Sequence, residues 1–574
     1  MVDGGIDGSS PTWRWAVKLP LLLALLAMIL RAWAPGPVVQ TFDERSWSGR
    51  SVAFREAVRH LDLDRATAAP EGQLATMPGV TTMWSGTIGW NLADLGAHVG
   101  LVDRTERGSP EGTSVLRASH LVVAFFSSLT LWAIIVMVAL LYGRRVGLIV
   151  GLLLAVEPWL VGHSGILHTD AYVTMFSFAG FVALAVAGQA LDARVGVDDA
   201  EPPAGVAARG IWGRAGTWAV VSGAFFGLAM LTKLNALVLV GGALVALPLA
   251  SWATHRRRGD GALAARARRW AVLVAIAGAV TLVVFVVLWP ATWVSPMTQL
   301  SALRRSATQA DDPNGVFFAG RSDQPPGLWF YPVATLFRIS PWLLLSAAAA
   351  AVVSVWRRVL VGPVRSAVPG FTAAVVAVLG VYVVIIATAE KIYDRYALVL
   401  VPFLAVGVAV AAVRTFDVVA VRRPTVAAGL RSAGFVGAAL VSIYVLTLAP
   451  YSISYADPVV GGQAAARHWI PLGWGEGIET AGEYIRTHEG EGCADVTISI
   501  EWFVSDAVPC GRLVGGWNGE IEGAPDYAVV YVLKAQRGLN PTVADALRTH
   551  GTLVASQAIG GEVYMELWRI QPGT

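Results

Sequence analysis

Apolar runs of membrane-spanning length recur along this chain, separated by short polar stretches rich in arginine. A spanning helix needs about 20 predominantly apolar residues. Such runs lie near residues 15–34, 115–141, 145–162, 170–190, 215–231, 234–252, 271–290, 333–356, 369–388, 395–413 and 431–450, so the pattern predicts eleven transmembrane helices. Short loops that carry Lys and Arg stay cytoplasmic. Arg14 and Lys18 therefore place residues 1–14 inside, and the basic stretches Arg144–Arg145, Arg194–Arg214, Arg256–Arg269, Arg357–Arg365 and Arg414–Arg431 then fall on the same side. An odd number of spans sends residues 455–574 outside, together with the long first loop, 36–114. The expected division is a cytoplasmic N-terminus (1–14), a transmembrane region (15–454) and an extracytoplasmic C-terminal domain (455–574). The first apolar run follows Lys18 as the core of a signal peptide would, but no small-residue cleavage site precedes Arg31, so it reads as a retained anchor.

The polar segments have patterns of their own. In the first loop Phe42, Trp47, Phe54, Val58 and Leu61 recur near helical spacing with Arg50, Arg55 and Arg59 between them, which predicts an amphipathic helix on the outer membrane surface. Met77-Pro78-Gly79 breaks the chain, and a second short apolar piece ends by Leu95, returning along the interface. Residues 191–214 have the composition of a flexible linker. The outer stretch from Trp293 to Tyr331 gathers Arg321, Asp323, Pro325, Pro326, Trp329 and Phe330, and long loops of this kind in compact proteins tend to carry function. Beyond residue 455, alternation predicts strands at 496–500, 527–533 and 563–570 and helices at 476–487 and 541–549, a small α/β domain. No repeat marks the inverted halves of a transporter. The fold class is a polytopic α-helical membrane protein of about eleven spans, with interfacial helices in the first loop and a small C-terminal α/β domain.

Composition agrees: 55% hydrophobic and 14% charged residues, with mean hydropathy +0.58, exclude a soluble globular protein of ordinary surface. The net charge of +3 follows from the topology signals, and nothing resembles a nucleic-acid footprint. Thirty-nine arginines against four lysines, with abundant Ala, Gly and Val, suit a GC-rich bacterial genome and hence a plasma-membrane location. Cys493 and Cys510 both lie in the outer segment, where a disulfide would persist, and both pairing and two free thiols remain open.

Charged groups at the ends of spanning helices are costly and usually have a partner or a task. On the outer side they gather. Asp43 and Glu44 follow the first span, and His163, His168 and Asp170 surround the start of the fourth. Lys233 separates the fifth and sixth, and Glu390, Lys391, Asp394 and Arg395 lie between the ninth and tenth. Carboxylates and cations on one rim suit an acceptor hydroxyl on one side and a departing phosphate on the other. His163 and His168, five apart, lack the helical spacing of a zinc pair, and no metal ligand set is assigned.

Four of these stretches occur in one order on one side: Thr41-Phe42-Asp43-Glu44-Arg45, His168-Thr169-Asp170-Ala171, Leu231-Thr232-Lys233, and Lys391 followed by Arg395-Tyr396. Together they resemble the motifs of glycosyltransferase family 39, which groups protein O-mannosyltransferases with the aminoarabinose transferases of lipid A inside the C-type glycosyltransferase superfamily. The resemblance covers roughly 15–450. It departs at Met77-Pro78-Gly79, where many relatives carry His-Pro-Pro, and the repeat domain of eukaryotic protein mannosyltransferases is missing. The tail, with Asp457-Pro458-Val459-Val460-Gly461-Gly462 and then Gly473-Trp474-Gly475-Glu476-Gly477, looks instead like that of bacterial members.

The resemblance implies a C-type fold and an inverting transfer of a sugar from a polyprenyl-phosphate donor, undecaprenyl or decaprenyl, to a hydroxyl of a protein, glycan or lipid acceptor. Asp43 matches the catalytic acidic position, with Glu44 beside it. A carboxylate that takes the acceptor's proton contributes about 10²- to 10⁴-fold. Arg395 and Lys391, with Lys233, match cations for the donor phosphate. His168 and Asp170 are assigned to acceptor or sugar binding, as are Arg321 and Trp329 of the outer loop. No cofactor is assigned with certainty, and a divalent cation is left open at Asp170. Each position has a plainer reading: a helix cap for Asp43 and Asp170, and snorkelling to headgroups for Lys391 and Arg395. A transporter or flippase for a lipid-linked or polar solute, and a structural subunit of an envelope complex, are the competing functions. The first would place ionisable residues near mid-membrane rather than at one rim.

Overall fold

From Asp170 to Gly188 every residue of helix α7 (Asp170–Val195) is buried. Its sequence is apolar around the whole circumference, and a helix without a wet face must be enclosed by other elements. In this computed structural model its neighbours are α4 (Thr113–Tyr142) and the helices Arg214–Thr232, Ala236–Arg258 and Leu400–Arg422. The described residues are 11–35, 41–66, 78–101, 113–195, 214–259, 262–308, 316–348, 370–389, 391–500, 511–515, 517–520 and 523–571.

Among them, eight helices are long and apolar enough to cross a bilayer, and a ninth span exists if α5 (Arg144–Val156) and α6 (Pro158–Ser164) are taken together. The expected 145–162 run is therefore broken, with a bend of 67°. Pro158 disfavours helical backbone at the residue before it, and Glu157 accordingly leaves the helix to accept hydrogen bonds from Ser340 N–H (2.8 Å) and Ser340 Oγ (2.6 Å). The expected 333–356 run is also interrupted. A helix Phe330–Arg338 ends, and helical backbone resumes only at 341–348, after Ser340-Pro341. Its residues 349–356 lie outside the described set, as do most of the 191–214 linker, Glu390 and Met77. The run at 15–34 is covered by α1 (Pro11–Trp33).

The first loop holds α2 (Phe42–Arg59) and α3 (Val80–His98), near the predicted positions but not packed as predicted. Of the three arginines expected to face water, α2 leaves Arg59 exposed but buries Arg50 and Arg55 along with Trp47, Phe54 and Ala57. Arg55 Nε donates to Asn91 Oδ1 at 2.9 Å and the guanidinium pairs with Asp94, both on α3. Satisfying the guanidinium across a helix pair turns the supposed wet face into an interface. Pro78 forms a β-bridge with Lys233, and Gly79 N–H donates to Thr232 O at 3.1 Å, so the start of α3 closes over the end of the helix Arg214–Thr232.

The C-terminal unit is a mixed five-stranded sheet in the order β2-β1-β3-β5-β4, built from β1 (Thr497–Ser499), β2 (Arg512–Val514), β3 (Tyr527–Tyr531), β4 (Gly551–Ile559) and β5 (Glu562–Ile570). β1 pairs parallel with β2 and β3, while β3–β5 and β5–β4 are antiparallel. The pattern predicts β1, β3 and β5 and helices matching Glu479–Glu489 and Pro541–His550; β2 and β4 lack clean alternation and escape it. Cys493 is disulfide-bonded, and Cys510 lies outside the described residues. Several bonds seat this unit on the bundle. Arg338 donates to Tyr455 O (2.7 Å) and Pro471 O (3.3 Å), and Asp457 N–H donates to Phe337 O (2.7 Å).

Candidate active site

Asp43 occupies the second position of α2, and its carboxylate is the exposed member of a closed ring of charges, with 39% of its side chain accessible. Asp43 Oδ2 is 3.2 Å from His168 Nε2 and 3.2 Å from Arg395 Nη2. The other faces of both groups meet Asp170 Oδ2, which is 3.1 Å from His168 Nδ1 and 3.2 Å from Arg395 Nε. Asp170 Oδ1 accepts from Lys233 Nζ at 2.5 Å. Four segments far apart in sequence thus meet: the start of α2, the start of α7, the turn after Thr232 and the short helical turn Asp394–Val399. His168, Asp170 and Lys233 are nearly enclosed, and paired charges are what such burial tolerates.

The local sequence explains each placement. Gly79 and Pro78 back the Lys233 turn, Lys233 N–H donates to Ala229 O (3.2 Å), and the ammonium lies 4.3 Å from the centre of the Tyr396 ring. Asp394 accepts from Arg395 N–H at 2.8 Å through Oδ1 and from Arg338 Nε at 2.7 Å through Oδ2, which fixes the backbone that carries Arg395. Glu44, expected beside Asp43 as a catalytic acid, faces the other way. It is fully buried, accepts from His120 Nε2 (2.5 Å) and Leu167 N–H (2.8 Å) through Oε1, and accepts from Thr41 N–H (3.0 Å) through Oε2. With these three bonds it holds α2 against α4 and the entry to α7, and it is buried away from the ring that contains Asp43.

Electrostatics separate the two roles of the ring. Burial by itself raises the pKa of Asp43, but the hydrogen bond from His168 and the charge of Arg395 outweigh it and hold this carboxyl below the usual carboxylate range. Asp43 is therefore ionised throughout neutral pH. Burial pulls the Lys233 ammonium below its ordinary value, and Asp170 opposes that shift. Among the described residues Lys391 is the site cation without a carboxylate within ion-pair distance. Its Nζ lies 5.7 Å from the ring centre of Tyr393, the same ring that Arg395 covers at 4.0 Å.

No protein-family model and no curated protein sequence matches this chain. Among solved structures, the oligosaccharyltransferase AglB of Archaeoglobus fulgidus, in complex with an inhibitory peptide and a dolichol-phosphate, aligns with 96% of this chain and 74% of its own at TM-score 0.50 and 12% identity. The chain has the C-type glycosyltransferase fold. ArnT of Cupriavidus metallidurans, bound to undecaprenyl phosphate, aligns with 97% of this chain and 98% of its own at TM-score 0.48 and 13% identity.

Within this C-type fold the structure brings Asp43, His168, Asp170, Lys233 and Arg395 together, with Lys391 at the margin. It does not bring in Arg321 or Trp329. Arg321 bridges to Phe318 through the backbone at an exposed turn, and Trp329 is 74% exposed before the helix Phe330–Arg338. Neither has a hydrogen bond or ion pair to the ring. No group of three or more metal-ligating side chains occurs among the described residues. Sequence reasoning missed Tyr393, whose ring lies 4.0 Å from Arg395 Cζ, and Trp474, whose ring lies 4.7 Å from that of His168 and 4.4 Å from Arg395 Cζ. The signal for Trp474 was the glycine-flanked 473–477 motif, which the pattern assigned to the outer domain rather than to the bundle.

Proposed function

We propose that this protein is an inverting glycosyltransferase that moves a sugar from a polyprenyl-phosphate donor to an acceptor hydroxyl at the outer face of the bacterial plasma membrane. The N-terminus is cytoplasmic and the C-terminal unit extracytoplasmic. The observation that carries the reading is the pairing of Asp43, ionised and open to solvent, with the guanidinium of Arg395 across helices 352 residues apart. A base for the acceptor and a cation for the leaving group lie within one headgroup's reach. In the reaction the acceptor oxygen attacks the anomeric carbon and its proton passes to Asp43. The bond to the phosphate oxygen breaks, and its electron pair stays on the lipid phosphate. Arg395 and Lys391 stabilise that charge, and Asp170 holds Lys233 and Arg395 in register. His168 orients Asp43 from the opposite side.

Arg395 pairs with Asp43 and Asp170, and Lys233 with Asp170, so a phosphate that binds Arg395 competes with Asp43 for it. Asp43→Asn is expected to lose about 10²- to 10⁴-fold in turnover while binding the donor at least as tightly as wild type, because its guanidinium partner is released. Arg395→Ala is expected to weaken donor binding measurably without abolishing it, because Lys233 and Lys391 remain. Membranes carrying each variant, assayed with a panel of polyprenyl-phosphate sugars, test this; full turnover by Asp43→Asn removes Asp43 as the base.

A further inference from the structure

Trp474 belongs to the chain's soluble unit by sequence and to the charged ring by position. Its carbonyl accepts Phe42 N–H at 2.9 Å, immediately before Asp43. Its ring meets His168 edge-on, and the guanidinium of Arg395 is flanked by Tyr393 (4.0 Å) and Trp474 (4.4 Å). The loop that presents it is built for that placement. Gly473, Gly475 and Gly477 have φ of 84°, 118° and 85°, conformations that side-chain-bearing residues avoid. A Cβ on Gly473 would stand 2.5 Å from Val532 Cγ1, and one on Gly477 would stand 2.7 Å from Gln557 Cγ. Between them the buried Glu476 accepts from Trp474 N–H, from Ser454 Oγ (2.8 Å) and from Tyr531 OH (3.0 Å). Tyr531 is the last residue of β3, and its hydroxyl also accepts Gly475 N–H at 2.8 Å. Burial, with the Glu476 charge beside it, keeps the Tyr531 hydroxyl well above its usual pKa, so it remains a donor.

We infer that Trp474 is a positioning residue of the donor-phosphate site, through which the C-terminal unit holds the Arg395 guanidinium in the plane that meets the lipid phosphate. This deepens the glycosyltransferase reading and rests on it. An unstacked arginine rotates about its long side chain and loses part of the entropy advantage of its planar fork. Stacking on an indole opposes that rotation at no cost to the N–H groups, which stay at the guanidinium edge. The bundle alone supplies one ring, Tyr393, and the C-terminal unit supplies the second. The consequence is that the site is complete only when the 473–477 loop is docked.

The test uses full-length protein in detergent and undecaprenyl monophosphate as probe, with binding measured for wild type, Trp474→Ala, Trp474→Leu, Trp474→Phe, Arg395→Ala and the double variant Arg395→Ala/Trp474→Ala. Trp474→Ala and Trp474→Leu are expected to weaken binding roughly 10-fold, and Trp474→Phe to stay within about 3-fold of wild type. In the Arg395→Ala background, Trp474→Ala is expected to change nothing further. Wild-type affinity in Trp474→Ala overturns the inference, as does an equal loss with and without Arg395, because a merely structural tryptophan would weaken both backgrounds alike. If Trp474→Ala fails to fold, Trp474→Leu carries the same comparison. Wild-type protein that does not bind the probe, or Arg395→Ala that binds it unchanged, overturns the donor-phosphate reading and this inference with it. Loss in Arg395→Ala without loss in Trp474→Ala overturns this inference alone.

Discussion

Neighbouring acids in one turn of α2 have opposite fates, and helix geometry is the reason. Asp43 and Glu44 are about 100° apart around the helix axis, so when α2 buries one side only one of the two can face the cavity. The buried one, Glu44, takes the N–H groups of Thr41 and Leu167 and the ring of His120. Removing it leaves two buried donors and an imidazole without partners, and each unsatisfied buried group costs about 1–3 kcal/mol. Glu44→Ala is thus expected to destabilise the protein by about 2–4 kcal/mol, seen as a lowered unfolding temperature in detergent, with Glu44→Gln losing less. A Glu44→Ala variant of unchanged thermal stability but absent turnover would instead give Glu44 a direct part in the chemistry. The acidic pair was legible in the sequence, but which member faced the charged ring was not. The N-cap of α2 is Thr41 rather than Asp43, and the Asp43 carboxylate instead lies within ion-pair distance of His168 and Arg395.

Elements meet here where side chains are small or prolines interrupt. At α6, a Cβ on Gly162 would come within 2.8 Å of Ile453 Cα, Ile453 N and Ser452 O, all backbone atoms that have no rotamer to yield. The bend at Glu157 and the close pass at Gly162 together let the Ser452–Ser454 turn lie against the bundle just before the C-terminal unit begins. Gly162→Ala is expected to cost about 1–3 kcal/mol by overpacking and to displace that turn, raising the rate of proteolysis after residue 450; unchanged stability and proteolysis would show that the turn can move freely. The hydrophobic pattern found the helices because their period is local. It missed the breaks at Glu157 and Ser340 because apolar residues resume on both sides of them, leaving Glu157-Pro158 and Arg338 to Pro341 as the brief polar and proline signals. It took Arg50 and Arg55 of α2 for wet positions, since nothing in that segment announces the Asn91 and Asp94 that receive Arg55.

At the scale of the whole molecule, the proposed orientation puts the charged ring and the sheet on one side and the arginine-rich helix ends on the other. Val459 is 68% exposed near the C-terminal unit, and Val421 is 86% exposed at the far end of the helix Leu400–Arg422. In intact cells a membrane-impermeant thiol reagent is expected to label Val459→Cys directly and Val421→Cys only after permeabilisation, with little background because Cys493 is disulfide-bonded. The reverse pattern would invert the topology and remove the outer-face site. The sequence by itself determined that the chain lives in a bilayer, roughly where its helices run, that a sheet-bearing unit follows them, and which ionisable residues stand at one rim. All of these follow from hydrophobic periodicity and from the energetic cost of charge in lipid, which act residue by residue. Only the tertiary structure decided which rim charges pair, that Glu44 turns inward, that Arg321 and Trp329 stay apart from the ring, and that Trp474 enters it. Those outcomes depend on contacts between segments hundreds of residues apart, whose partners leave no periodic trace in the segments themselves.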